Sequence, residues 1–153
     1  MEYIKGPKEE GCVLCRMPEA DDDPGHLILF RGQHTYAVMN LFPYSNGHLM
    51  IAPFDHVADY ADLDEATLRE CSVMTQEAMR CLRAAFSPDG VNVGLNLGRV
   101  AGAGILDHVH LHVVPRWMGD TNFMPIVSET KVISEHIRST YEQLKPYFDK
   151  ITL

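Results

Sequence analysis

The first third of the chain holds three short, mostly apolar runs with strand character, residues 26–30, 35–39 and 48–52. Continuous apolar runs of this length between turn signals fit buried strands. Arg31-Gly32-Gln33-His34 separates the first pair as a hairpin loop, and residues 40–47 make a longer connection to the third. A helical period then takes over. Leu68, Met74, Ala78, Met79, Leu82 and Phe86 form one apolar stripe, which predicts a helix starting near Asp62, with Glu65 as its capping partner. Ser87-Pro88-Asp89-Gly90 ends it. Cys71 and Cys81 fall within this helix and read, with Met74 and Met79, as small or adaptable core residues.

True alternation appears over residues 91–97, with Asn92, Gly94 and Asn96 opposite Val91, Val93, Leu95 and Leu97. A loop with glycines at 98, 102 and 104 leads into a last alternating run, and a second helix is expected over about residues 129–147. Short hairpin connections imply a mostly antiparallel sheet, and the layout is α+β. Residues 1–25, rich in Gly, Pro and acidic side chains and closed by Asp21-Asp22-Asp23-Pro24-Gly25, read as an irregular segment that ends in a turn.

The last alternating run is Asp107-His108-Val109-His110-Leu111-His112-Val113-Val114. As a strand it sets three imidazoles on one face and three apolar side chains on the other. Same-face neighbours lie about 6.5–7 Å apart, a separation that predicts no direct ring contact but would surround a small anion. A solvated strand face normally carries Thr, Lys or Glu, whereas imidazole gains or loses a proton near neutral pH. If the strand of residues 91–97 pairs with this one, Asn92, Gly94 and Asn96 lie beside the imidazoles and leave room for a ligand. The glycine-rich loop offers backbone N–H groups that suit phosphate oxygens. Imidazole is a competent nucleophile toward phosphorus. His110, flanked by a histidine on each side, is the natural nucleophile, with His112 at the phosphoryl oxygens or the leaving group. Arg99 and Arg116 are two cations that would offset a second anion beside the first.

Composition narrows the field. The 153 residues suffice for a single domain, 1–153, with an N-terminal segment 1–25. A net charge of −8 without a Lys/Arg cluster argues against polymeric nucleic acid. No apolar run is long enough to span a bilayer, and Met1 to Lys8 lacks a secretory pattern, so a cytoplasmic protein with no membrane partner is expected. Four cysteines then read as thiols rather than disulfides. Cys12-Val13-Leu14-Cys15 has the spacing of half a zinc site. The alternative is a pair of plain thiols. His26, His34 and His136 read as surface residues.

His108-Val109-His110-Leu111-His112-Val113-Val114 resembles the signature of the histidine triad superfamily, with every hydrophobic position filled. Residues 40–53, including Gly47-His48, resemble that family's ribose-binding loop. Pro115-Arg116-Trp117 and residues 119–123 are similar to the branch of bacterial diadenosine tetraphosphate phosphorylases and related nucleotidyltransferases. The resemblance implies a five-stranded antiparallel sheet with two main helices, and sheets joined across a homodimer, with a tetramer also open. It implies cleavage of dinucleoside polyphosphates at the α-phosphorus through a nucleotidyl-histidine on His110. His112 would serve the leaving group and His48 the orientation of the nucleophile. Asn40 stands at the ribose and Asn96 at the phosphate. Where the family often supplies a hydroxyl, this chain reads Ala101-Gly102-Ala103-Gly104-Ile105, which leaves that task to the backbone N–H groups of Gly104 and Ile105. A subset of the family carries structural zinc, which implies Cys12, Cys15, His56 and His108 as ligands, with His48 as the substitute for His56. A purine nucleoside phosphoramidase and a nucleotide-sensing interaction protein with vestigial turnover are the alternative functions.

Overall fold

The computed structural model describes residues 11–120 and 132–153. The chain runs α1 (Val13–Glu19), α2 (Asp23–His26), β1 (Ile28–Arg31), β2 (Thr35–Met39), β3 (Leu49–Pro53), α3 (Glu65–Phe86), β4 (Gly90–Leu95), β5 (Leu111–Arg116) and α4 (Val132–Phe148). The strands form one sheet in the order β1-β2-β3-β5-β4, and every pairing is antiparallel. Residues 1–8, residues 121–123 of the family resemblance and the expected first turn of the second helix at residues 129–131 lie outside the described residues.

Both faces of the central strands are buried. On one face Ala37, Met39, Leu49, Ile51 and Val113 pack against Met74, Ala78 and Leu82 of α3 and Leu144 and Phe148 of α4. Cys71 and Cys81 are buried in the same cluster. The opposite face carries Tyr36, Val38, Met50 and Ala52, covered by Leu14 and Met17 of α1. Alternation in β2 and β3 therefore separates two apolar environments rather than core from solvent. Among the described residues no helix is long and apolar enough to cross a membrane.

Several boundaries differ from the expected ones. The long helix starts at Glu65 instead of near Asp62, because Asp64 is its N-cap and accepts from the Thr67 N–H at 2.8 Å. Glu65 consequently sits in the first turn, and Asp62 belongs to a short 3-10 turn, Tyr60–Asp62. The first strand begins at Ile28 because Asp22 caps the one-turn helix α2, which takes in His26. β4 ends at Leu95, so Asn96 and Leu97 lie past the ladder. The segment 12–20, read as irregular, contains α1. Its apolar spacing, Val13, Leu14 and Met17, is short, and Pro18 and the surrounding glycine and acidic residues hide it.

The β1–β2 hairpin is latched to α3. The Glu70 carboxylate accepts from the backbone N–H groups of Gln33, His34 and Thr35 and from the Thr35 hydroxyl, at 2.8–3.2 Å. Burial works to raise the Glu70 pKa, but these donors outweigh it and hold the carboxyl below its ordinary value. The loop into β3 turns at Gly47, whose φ of +84° favours glycine. A Cβ there would also come within 3.3 Å of Leu82 and Pro115. This turn delivers His48 to the start of β3.

Candidate active site and adjoining metal centre

The three triad histidines do not share one regular strand. β5 begins at Leu111, which pairs with Ile51 and Leu95; β4 ends at Leu95, and β3 runs only two residues past Ile51. Residues 108–110 thus lie outside the ladder, and the Val109 N–H goes instead to the carbonyl of Val57 at 2.7 Å. Freed from strand geometry, the rings of His110 and His112 meet edge to face with centroids 4.9 Å apart. The expectation that same-face imidazoles would be too distant for contact therefore does not hold for this pair.

The expected hairpin of β4 and β5 is present, and Gly94 lies directly opposite His112. Met50 flanks His112 on the other side. Cross-strand partners share a face, so the histidine face is also the face covered by α1.

The hydrogen-bond pattern assigns the ring protons. His110 Nδ1 lies 2.9 Å from the His108 carbonyl. A carbonyl only accepts, so Nδ1 carries the proton and Nε2 keeps its lone pair. Burial, opposed by that backbone bond, holds the His110 pKa below its usual value. His48 Nδ1 accepts from the Tyr44 N–H at 3.1 Å. The neutral His48 ring must then donate from Nε2, and its partner is His112 Nδ1 at 2.9 Å. His112 is left with its proton on Nε2. Burial and the neighbouring His112 and His110 depress His48 to about 3, while burial and His110 depress His112 to about 4. At neutral pH the trio is uncharged, offering one lone pair and one N–H. His48 bonds the leaving-group histidine; no bond joins it to the nucleophile. Asn40 Nδ2 is 3.4 Å from His48 Nε2, but both are donors, and the Asn40 carbonyl oxygen instead accepts from the Phe42 N–H at 2.9 Å.

Beside the rings lies a cavity of about 410 Å³, within the range that holds small-molecule ligands. His110 and His112 line one side, with Asn40, Leu41, Phe42 and Tyr44 from the loop after β2. Gly102, Ala103, Gly104 and Ile105 contribute from the glycine-rich loop. Val13, Leu14 and Met17 of α1, with Met39 and Met50, form an apolar wall. Within the loop the Gly102 and Ala103 N–H groups bond to the carbonyls of Arg99 and Gly98. Asn96, Arg99 and Arg116 are not on this wall. Arg116 makes a two-pronged ion pair with Asp120 at 2.7 and 2.9 Å. The α1 wall was not anticipated from sequence, since scattered apolar side chains on a short helix have no chemical signature, whereas Leu41, Phe42 and Tyr44 fall in the loop that the family resemblance assigned to the ribose.

The second group of side chains adjoins the first. Cys12, Cys15, His56 and His108 bring four donor atoms within 4.8 Å of one another. His108 donates its Nε2 proton to the Pro53 carbonyl at 2.9 Å, which turns the Nδ1 lone pair toward Cys12 and Cys15 at 3.3 and 3.4 Å. His56 Nδ1 is 3.3 Å from Cys15 Sγ. Burial and the adjacent Cys12 push the Cys15 thiol up to about 11, a penalty on thiolate that a divalent cation reverses. Two thiols and two imidazoles with one lone pair already directed inward fit a tetrahedral cation. His48, engaged with His112, is not in this group. Of the other histidines, His136 is exposed, and His26 and His34 are half-buried.

The HIT domain family matches residues 23–118. An AP-4-A phosphorylase of Mycobacterium tuberculosis is 44% identical over 124 residues, covering 81% of this chain and 63% of that protein. The chain thus spans less than two thirds of that relative's length. An uncharacterized HIT-like protein of Mycoplasma genitalium is 30% identical over 122 residues, 78% of this chain and 82% of its own. Among solved structures, a zinc-bound histidine triad family protein from Mycobacterium smegmatis superposes with a TM-score of 0.73 at 23% identity, covering 92% of this chain and 94% of that one. A hypothetical histidine triad nucleotide-binding protein from Sulfolobus tokodaii gives 0.74 at 24% identity, covering 90% and 92%. Both likenesses concern the fold.

Proposed function

Because this chain belongs to the HIT domain family, we propose that it is a nucleotidyltransferase that cleaves dinucleoside polyphosphates, such as diadenosine tetraphosphate, at the α-phosphorus. The observation that carries this reading is the proton arrangement of His110 and His112: an Nε2 lone pair beside an Nε2–H donor at one cavity. His110 Nε2 attacks the α-phosphorus, and the bond to the bridging oxygen breaks. His112 Nε2–H gives its proton to that oxygen as ATP departs. The nucleotidyl group rests on His110 until an acceptor takes it. With phosphate the product is ADP; with water it is AMP. The apolar wall suits a nucleobase, Asn40 at the rim is assigned to the ribose, and the N–H groups of Gly104 and Ile105, which line the cavity, are assigned to the phosphate oxygens.

Phosphate is the acceptor we favour. The support is the 44%-identical AP-4-A phosphorylase; Arg99 and Arg116, expected to offset the second anion, do not line the cavity, and Asp120 already neutralises Arg116. Incubation with diadenosine tetraphosphate tests it: ADP plus ATP at a rate rising with phosphate supports the phosphorylase. AMP plus ATP at a phosphate-independent rate means a hydrolase.

The Cys12, Cys15, His56 and His108 group is proposed to hold zinc. Four protein ligands leave no open position, so its role is structural. A homodimer is proposed across β4, an edge strand whose Val93 is 44% exposed, with Leu97, just past its end, 38% exposed. Sedimentation showing only monomer would refute that. Residence in the cytoplasm remains the expectation for such a protein.

A further inference from the structure

The metal group and the cavity share one small element. α1 has seven residues. Cys15 lies in it and Cys12 is its N-cap, while Val13, Leu14 and Met17 line the cavity. A helix this short has no stability of its own, and Cys12 makes no side-chain cap bond. In its first turn Leu14 is fully buried, and its carbonyl accepts from the Tyr36 hydroxyl at 2.6 Å. The C-terminal end of α1 is tied by Arg31, which donates to the Pro18 carbonyl at 2.9 Å. The N-terminal turn is also fastened to the rest of the fold through Cys12 and Cys15, against His56 and His108.

We propose that a metal held by Cys12, Cys15, His56 and His108 fixes the α1 wall of the nucleoside pocket, so that Cys12 and Cys15 are positioning residues for the base. The inference rests on the pocket and metal assignments made under the proposed function. With the metal bound, Val13, Leu14 and Met17 are presented at the distance a base requires. Without it the first turn of α1 keeps its Leu14 anchor but loses the tether at Cys12 and Cys15, and fixing the position of the wall falls in part to the nucleoside. Metal and nucleoside therefore bind cooperatively, by the same factor in each direction.

A second route joins the metal to the site, since the His108 carbonyl holds His110 Nδ1–H. Adenosine separates the two, because it carries no phosphate to meet His110. Calorimetric titration of the full chain with adenosine and with AMP, zinc-loaded and after chelation, is the test. Both affinities are expected to fall by about fivefold or more on chelation, the lower range of couplings between sites. Saturating adenosine is expected to tighten zinc binding by the same factor, read with a competing chelator dye on the unmodified chain. Cys12→Ser should reproduce the loss. Met17→Ala should weaken adenosine binding in the loaded protein and shrink the effect of chelation. Equal adenosine affinity with and without zinc overturns the proposal while leaving the function intact, and so does a loss confined to AMP. Failure of the loaded protein to bind either ligand overturns the proposed function and this inference together.

Discussion

Replacing His48 by Gln tests the proton arrangement through stability. His48 is fully buried and depressed to about 3, and His112 to about 4. In the unfolded chain both titrate near 6.5. Folded-state values below the unfolded ones mean that the unfolded chain binds more protons under acid. Stability is unaffected well above pH ~6.5 and falls as the pH drops below it, until the folded values are reached. At pH ~5 each residue contributes a loss of about 2 kcal/mol, hence about 4 kcal/mol for the pair. His48→Gln removes one titrating group and leaves the burial of His112 and its proximity to His110 in place. The variant should be less stable at pH ~7.5, yet lose about 2 kcal/mol less than the parent between pH ~7.5 and ~5. Urea denaturation of both proteins, at equal concentration and metal content, gives the two differences, and effects common to both cancel. An identical pH dependence would mean that His48 is not held neutral in the fold, and the assigned chain from Tyr44 through His48 to His112 would fall.

Further outcomes follow from the same contacts. Long-range nitrogen–proton NMR spectra at neutral pH should show the proton on Nδ1 of His110 and on Nε2 of His48 and His112; the opposite tautomer at His110 would remove the nucleophile. Glu70→Ala, which strips the hairpin of a charged acceptor for four donors, should cost about 2–3 kcal/mol in urea denaturation without altering turnover. Elemental analysis should find one zinc per chain, lost with thermal stability in the double substitution Cys12→Ser and Cys15→Ser; an unchanged melting temperature would argue against a structural metal.

Much of this architecture was legible in the order of residues. The stripe from Leu68 to Phe86 foretold α3, and the short apolar runs over residues 35–39 and 48–52 foretold β2 and β3 with little error. The family was legible because three imidazoles alternating with β-branched and aliphatic residues have few other uses. The four members of the metal group were legible by different routes. Cys12 and Cys15 announce themselves by spacing, whereas His56 and His108 came only through the family resemblance, because a Pro53 carbonyl and a loop that spacing does not display bring them there. Boundaries failed where a side chain decided them. Asp64 rather than Asp62 caps α3 because its carboxylate reaches Thr67, although only Asp62 has a glutamate three residues on. The α1 wall was hidden because its apolar residues cover a cavity and a second face of the sheet, a burial that a single alternating strand does not reveal. The role of His48 depended on which ring it touches, and that is set by the turn at Gly47 and the pairing of β3 with β5.

The central claim is a covalent nucleotidyl group on His110 Nε2. Labelled diadenosine tetraphosphate mixed with enzyme in the absence of phosphate, quenched in alkali within the first turnover and digested, should yield a histidine-containing peptide from the 108–112 segment that carries one nucleotidyl group on His110. The label should chase into ADP when phosphate is added before the quench, and His110→Ala should acquire none. Label on another residue, or wild-type turnover that never passes through labelled protein, would contradict the account.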